Sequence, residues 1–110
     1  MSLQQQGLIE IDPLTAKNWL EKGEAILVDV REEEEHAEEH LNGALLLPMS
    51  DFEPEQFPTN TGKKVIVYCL AGVRSAAIGR KMLTSGQFVI FNLTGGIRAW
   101  KAAELPTVKP

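Results

Sequence analysis

Short apolar runs alternate along this chain with segments whose apolar positions recur at helical spacing, an order that predicts parallel strands joined by helical crossovers. Leu8-Ile9-Glu10-Ile11 reads as a first short strand. Asp12 then caps a helix that has Pro13 at its first position, runs through Trp19 and Leu20, and stops at Gly23. Ala25-Ile26-Leu27-Val28-Asp29-Val30 is almost continuously apolar, as a strand covered on both faces should be. Glu32 to His40 predicts a short acidic helix, and Ala44-Leu45-Leu46-Leu47 a third strand ended by Pro48. Asp51 to Phe57 holds a helical turn or two before the loop Pro58-Thr59-Asn60-Thr61-Gly62. Lys63 to Tyr68 is the fourth strand, with Cys69 at its carboxyl end, and Ser75 to Leu83 reads as the helix that follows. Phe88-Val89-Ile90-Phe91-Asn92 is the fifth strand, and a last helix starts near Gly96 and ends before Pro106.

At 110 residues the chain is long enough for one core and too short for two. A single domain is expected over residues 8–110, after a loose polar tail at 1–7 that carries no charged side chain. With 44% hydrophobic and 24% charged residues the composition is that of a folded globular protein. A formal net charge of −4 excludes a general nucleic-acid surface, which needs clustered Lys and Arg to neutralise phosphates. A lone cysteine makes no internal disulfide, and no basic start precedes an apolar run, so a reducing, cytoplasmic setting is expected. No stretch approaches the roughly 20 apolar residues of a membrane helix.

The candidate chemistry sits in Val65-Ile66-Val67-Tyr68-Cys69-Leu70-Ala71-Gly72-Val73-Arg74-Ser75, where a buried strand gives way to a small-residue loop and then a helix. A lone cysteine in an apolar strand is commonly a packing residue. Here the loop that follows changes the reading. Backbone N–H groups in such a turn and at a helix start converge on one point and favour negative charge there, so a sulfur held among the amides of Leu70, Ala71, Gly72, Val73, Arg74 and Ser75 favours thiolate. Gly72 supplies the backbone freedom to turn those amides inward. Arg74 adds a fixed cation, expected within reach of whatever anion the sulfur attacks or carries. Open parallel sheets bind ligands outside the carboxyl ends of their strands, and Asp29 and the loop after Asn92 are expected at the same rim.

Asp29-Val30-Arg31-Glu32, His40-Leu41-Asn42-Gly43-Ala44, the loop from Cys69 to Ser75, and Leu93-Thr94-Gly95-Gly96-Ile97-Arg98-Ala99-Trp100 together resemble the rhodanese family, in order and across nearly the whole chain. The resemblance implies a three-layer α/β/α fold with a five-stranded parallel sheet. It also implies a cysteine that accepts a sulfane sulfur as a persulfide and passes it on. The residues suit that chemistry: a Cys69 thiolate would attack the outer sulfur of a donor such as thiosulfate, sulfite would leave, and the loop amides would stabilise the terminal sulfur. No metal or organic cofactor is called for. The acceptor is expected to be cyanide in an assay, and a thiol such as glutathione, thioredoxin or a sulfur-carrier protein in a cell. In related domains a basic residue often stands at the second or third loop position, where this chain has Leu70 and Ala71, and that departure counts against thiosulfate as the natural donor.

Cysteine-dependent phosphatases of the same superfamily resemble Cys-x5-Arg, whereas Arg74 follows Cys69 after four intervening residues, too tight a ring for a tetrahedral phosphate. Arsenate reduction and a non-catalytic binding module are further alternatives. Asp29 and Arg31 are candidates to orient the active loop, with a helix cap and a loop brace as their structural readings. His36 and His40 have zinc-like spacing but no evident third ligand, so Glu32 to Glu39 reads as a solvated face and His40 as a structural residue before the third strand. Gly95 and Gly96 are expected to let the backbone pass close to the loop, and Trp19 and Trp100 to be core.

Overall fold

Alternation along the central strands gives the sheet two buried faces. In β4 (Lys64–Tyr68), Ile66 and Tyr68 pack in the cluster on one side, while Val65 and Val67, followed by Cys69, pack in the cluster on the other. The same division holds in β2 (Ala25–Asp29), where Ala25 and Leu27 oppose Val28, and in β5 (Val89–Leu93), where Phe91 and Leu93 oppose Ile90. The computed structural model describes residues 7–58, 61–87 and 89–110. Its five strands include β1 (Gly7–Ile11) and the two-residue β3 (Leu45–Leu46), and they form one parallel sheet in the order β1-β5-β4-β2-β3.

Helices α1 (Pro13–Glu21) and α4 (Gly96–Ala102) cover the first face through Ala16, Ile97 and Trp100. The ring of Trp19 meets Phe91 edge-on at 4.8 Å, and Trp100 donates its indole N–H to Pro106 O at 2.8 Å. Helix α3 (Val73–Thr84) covers the second face through Ile78 and Met82. The result is the three-layer α/β/α architecture, with the short α2 (Glu33–Glu38) beside the carboxyl end of β2. Because β4 lies between β2 and β5, the loop after Cys69 is flanked by the loops that follow both neighbours. No helix among the described residues is long and apolar enough to cross a membrane.

Several boundaries move from the sequence expectation, each for a local reason. β1 takes in Gly7, which pairs with Val89, while the rest of the predicted tail lies outside the described residues. β3 shrinks to the two residues that pair with Val28 and Asp29. The expected turns over Asp51 to Phe57 are two separate 3-10 turns, Met49–Asp51 and Pro54–Gln56, since Pro54 offers no N–H to continue the first. α2 stops at Glu38, leaving His40 to exchange backbone hydrogen bonds with Val108. α3 begins two residues early, because Gly72, at φ +98°, occupies its N-cap. Thr59, Asn60 and Phe88 lie outside the described residues.

Candidate active site

Helix α3 starts without a side chain on its N-cap, and an acceptor for the amides at its start comes from the residue that follows β4. Cys69 Sγ receives Gly72 N–H at 3.1 Å and Ser75 N–H at 3.4 Å, with Ser75 Oγ also at 3.4 Å. The sulfur therefore sits at the N-terminus of a twelve-residue helix, the end whose partial positive charge favours an anion. Burial alone would push the thiol pKa up. The hydroxyl and amide of Ser75, with the amides of Gly72 and Ala71, outweigh it and hold the pKa below the ordinary cysteine value. Of the ring of amides expected from Leu70 to Ser75, those of Leu70, Val73 and Arg74 make no hydrogen bond to the sulfur.

The turn is fixed from two sides. Ile97 N–H donates to Cys69 O at 2.9 Å and Arg98 N–H to Leu70 O at 3.1 Å, so the first turn of α4 hangs on the carbonyls of the loop. Gly96, at φ +61°, makes this approach possible: a Cβ there would overlap the Cys69 and Leu70 carbonyls. On the other side Asn92, buried in β5, donates Nδ2–H to Gly72 O at 3.1 Å and accepts the Ser75 hydroxyl at 2.5 Å. Ser75 has one hydroxyl proton and two acceptors for it, Asn92 Oδ1 and Cys69 Sγ. Asn92 Nδ2 is in turn anchored by the Glu10 carboxylate at 3.0 and 3.2 Å, which also receives Thr94 Oγ1.

Arg74, expected as a fixed cation within reach of the anion at the sulfur, lies in the first turn of α3 and is held in an ion pair. Both of its terminal nitrogens are spent on Glu35, at 2.8 and 3.0 Å, and Glu35 Oε1 also accepts Glu32 N–H at 3.0 Å. The pair holds Glu35 below the usual carboxylate range, and the hydrogen bonds of Arg74 are the leading cause. What reaches the sulfur from Arg74 is charge rather than a hydrogen bond.

Asp29 and Arg31 form a buried bracket beside the loop. Asp29 Oδ1 accepts Arg31 N–H at 2.9 Å and Nε–H at 3.0 Å. Its Oδ2 accepts Arg31 Nη2–H at 2.8 Å and Tyr68 O–H at 2.9 Å, and lies 2.9 Å from His36 Nδ1. Burial pushes this carboxyl up, but the hydrogen bonds from Arg31 and His36 leave it below its ordinary value. Arg31 Nη2 continues to Glu39 O at 2.7 Å, and the Tyr68 hydroxyl accepts Leu41 N–H at 3.1 Å, so the bracket ties β2, β4 and both ends of α2 together. Neither Asp29 nor Arg31 hydrogen-bonds the sulfur, and α2 is capped at Glu32 rather than by Asp29.

The acidic segment is not uniformly solvated. Glu33, Glu34 and Glu38 face water, whereas Glu35 and His36 turn inward and Glu39 binds Lys101 and Thr107. His36 and His40 stack at 3.9 Å, and among the described residues no three His, Cys, Asp or Glu side chains converge as metal ligands. Glu35, Tyr68, Asn92 and Glu10 are site residues that sequence reasoning missed, and His36, weighed there as a metal ligand, is instead a partner of Asp29. Asn92 and Glu10 carried a signal, each as a polar side chain inside an apolar strand.

A family model described as rhodanese-like domain matches residues 12–103. An uncharacterized protein of Synechocystis is 38% identical over 109 residues, covering 99% of this chain, which spans 61% of that protein's length. The thiosulfate sulfurtransferase GlpE of Coxiella burnetii is 30% identical over 93 residues, covering 84% of this chain and 87% of that protein. Among solved structures, a rhodanese-related protein of Thermoplasma volcanium superposes with a TM-score of 0.79 at 24% identity, over 91% of this chain and 97% of that one.

Proposed function

The chain belongs to the rhodanese-like domain family, and on that premise we propose that it is a sulfurtransferase that carries sulfane sulfur on Cys69. The observation that carries this reading is the sulfur at the focus of the Gly72 and Ser75 amides and the Ser75 hydroxyl. In the first half-reaction the thiolate attacks the outer sulfur of a donor such as thiosulfate. The Sγ–S bond forms, the donor S–S bond breaks, and its electron pair leaves on sulfite. The new terminal sulfur is an anion one bond further out. The loop amides that Sγ leaves free, those of Leu70, Val73 and Arg74, are the groups available to it. In the second half-reaction a thiol or cyanide takes that sulfur and Cys69 leaves as thiolate. Asp29 and Arg31 hold the scaffold and do not touch the reacting atoms. A free thiol doing such chemistry suits a reducing compartment.

The test is intact mass after incubation with thiosulfate. A gain of one sulfur atom in the wild type, absent from Cys69→Ser, supports the reading. Hydrolysis of an aryl phosphate with no sulfur uptake would move the protein to the phosphatases, and neither activity would leave a binding module.

A further inference from the structure

A cleft of about 300 Å³ opens between α2 and α4, directly beside the active loop. Its link to the loop is covalent and hydrogen-bonded: Leu70, the residue after the nucleophile, lines it and is 40% exposed, and Arg98, which also lines it, is anchored through its N–H to Leu70 O. Six charged side chains also line it, three of each sign. Four are committed elsewhere or to each other: Arg31 to Asp29, Glu35 to Arg74, and Glu39 to Lys101. Among the described residues Arg98 and Glu38 have no ion-pair partner, and both are exposed.

One unpaired cation and one unpaired carboxylate in a small polar cleft select a ligand with the complementary pair. A dianion such as thiosulfate would meet Arg98 but also Glu38, and a neutral thiol would use neither. We propose that this cleft binds the ammonium and the carboxylate of an amino-acid-type thiol, which is the sulfur acceptor. The proposal rests on the sulfurtransferase reading and names the acceptor class for it. Arg98 takes the carboxylate and Glu38 the ammonium, while the acceptor's sulfur crosses the apolar sill of Leu70 toward Cys69. As thiolate it attacks the outer sulfur of the Cys69 persulfide. The new S–S bond forms on the acceptor, the Sγ–S bond breaks, and its electron pair returns to Cys69 as thiolate.

The experiment loads the whole protein with thiosulfate, confirms the persulfide by intact mass, and follows its discharge by four thiols. L-Cysteine carries both charges, mercaptopropionate only the carboxylate, cysteamine only the ammonium, and mercaptoethanol neither. Variant-to-wild-type ratios are compared within each thiol, so intrinsic nucleophilicities cancel. Arg98→Ala is expected to slow L-cysteine and mercaptopropionate about fivefold relative to mercaptoethanol, the effect of one solvent-exposed charge contact. Glu38→Gln is expected to do the same to L-cysteine and cysteamine. Ratios that are equal across all four thiols, whether all unchanged or all reduced, overturn the proposal. Failure of the wild type to load is a separate result, seen before any acceptor is added, and it overturns the sulfurtransferase reading and this proposal together.

Discussion

Asp29→Asn separates support from chemistry in the buried bracket. The amide keeps the shape of the carboxylate, and its oxygen can still accept Arg31 N–H and Nε–H. Its nitrogen then stands where Arg31 Nη2, Tyr68 O–H and His36 Nδ1 converge at 2.8, 2.9 and 2.9 Å. Tyr68 can turn its hydroxyl and His36 can change tautomer, so each can become an acceptor for the new N–H. Arg31 cannot, and it is 4% exposed, with Glu39 O as the remaining partner of Nη2. Stranding a buried charge costs about 3–5 kcal/mol, and because two of the hydrogen bonds from Arg31 survive, the expected loss is near 3 kcal/mol. For a domain of this size that is a fall of more than about 10 °C in melting temperature. Urea denaturation measures it.

The pH dependence supplies the sign. A carboxyl whose pKa is lowered by folding contributes stability above its unfolded pKa and loses that contribution as the pH falls through its folded pKa. The gap between wild type and variant should therefore narrow as the pH drops below about 4. Alkylation of Cys69 in the folded variant should match the wild type, because Asp29 does not contact the sulfur. A variant within about 1 kcal/mol of wild type, or a gap that does not respond to acid, would refute the reasoning.

Three further substitutions probe the loop. Gly96→Ala puts a methyl 2.5 Å from Leu70 O and closer still to Cys69 O. It should cost at least about 2 kcal/mol in a melt, since the positive φ and the overlap both oppose it, and it should reduce thiol reactivity. Ser75→Ala removes a hydrogen bond to the sulfur and leaves Asn92 Oδ1 unpartnered. It should raise the thiol pKa, slowing alkylation at neutral pH but not its high-pH plateau, and cost about 1–3 kcal/mol by urea denaturation. Leu70→Arg restores a basic residue at the second loop position and should raise kcat/KM for thiosulfate about fivefold, what one solvent-exposed charge contact is worth.

The strands, the crossovers and the cysteine turn were legible because their signals are local. Val65 to Cys69 is a continuous apolar run of strand length, and the small residues after it mark the turn. The partners of the turn were not legible, because they come from far along the chain. Arg74 reads as a free cation until the fold brings Glu35 to it across 39 positions, and Asn92 meets Glu10 across 82. The run Glu32 to Glu39 has the same ambiguity. A string of carboxylates does not say that Glu35 and His36 turn inward while Glu33 and Glu34 stay in water, since that is settled by where the bracket and the α3 arginine lie.

The cradle around Cys69 is the claim on which the chemistry depends, and the pH dependence of its alkylation by iodoacetamide tests it directly. Folded protein should show a midpoint below that of the same chain in urea, where the amides of Gly72 and Ser75 no longer face the sulfur. A folded midpoint equal to or above the unfolded one would show a thiol governed by burial, and would contradict the account.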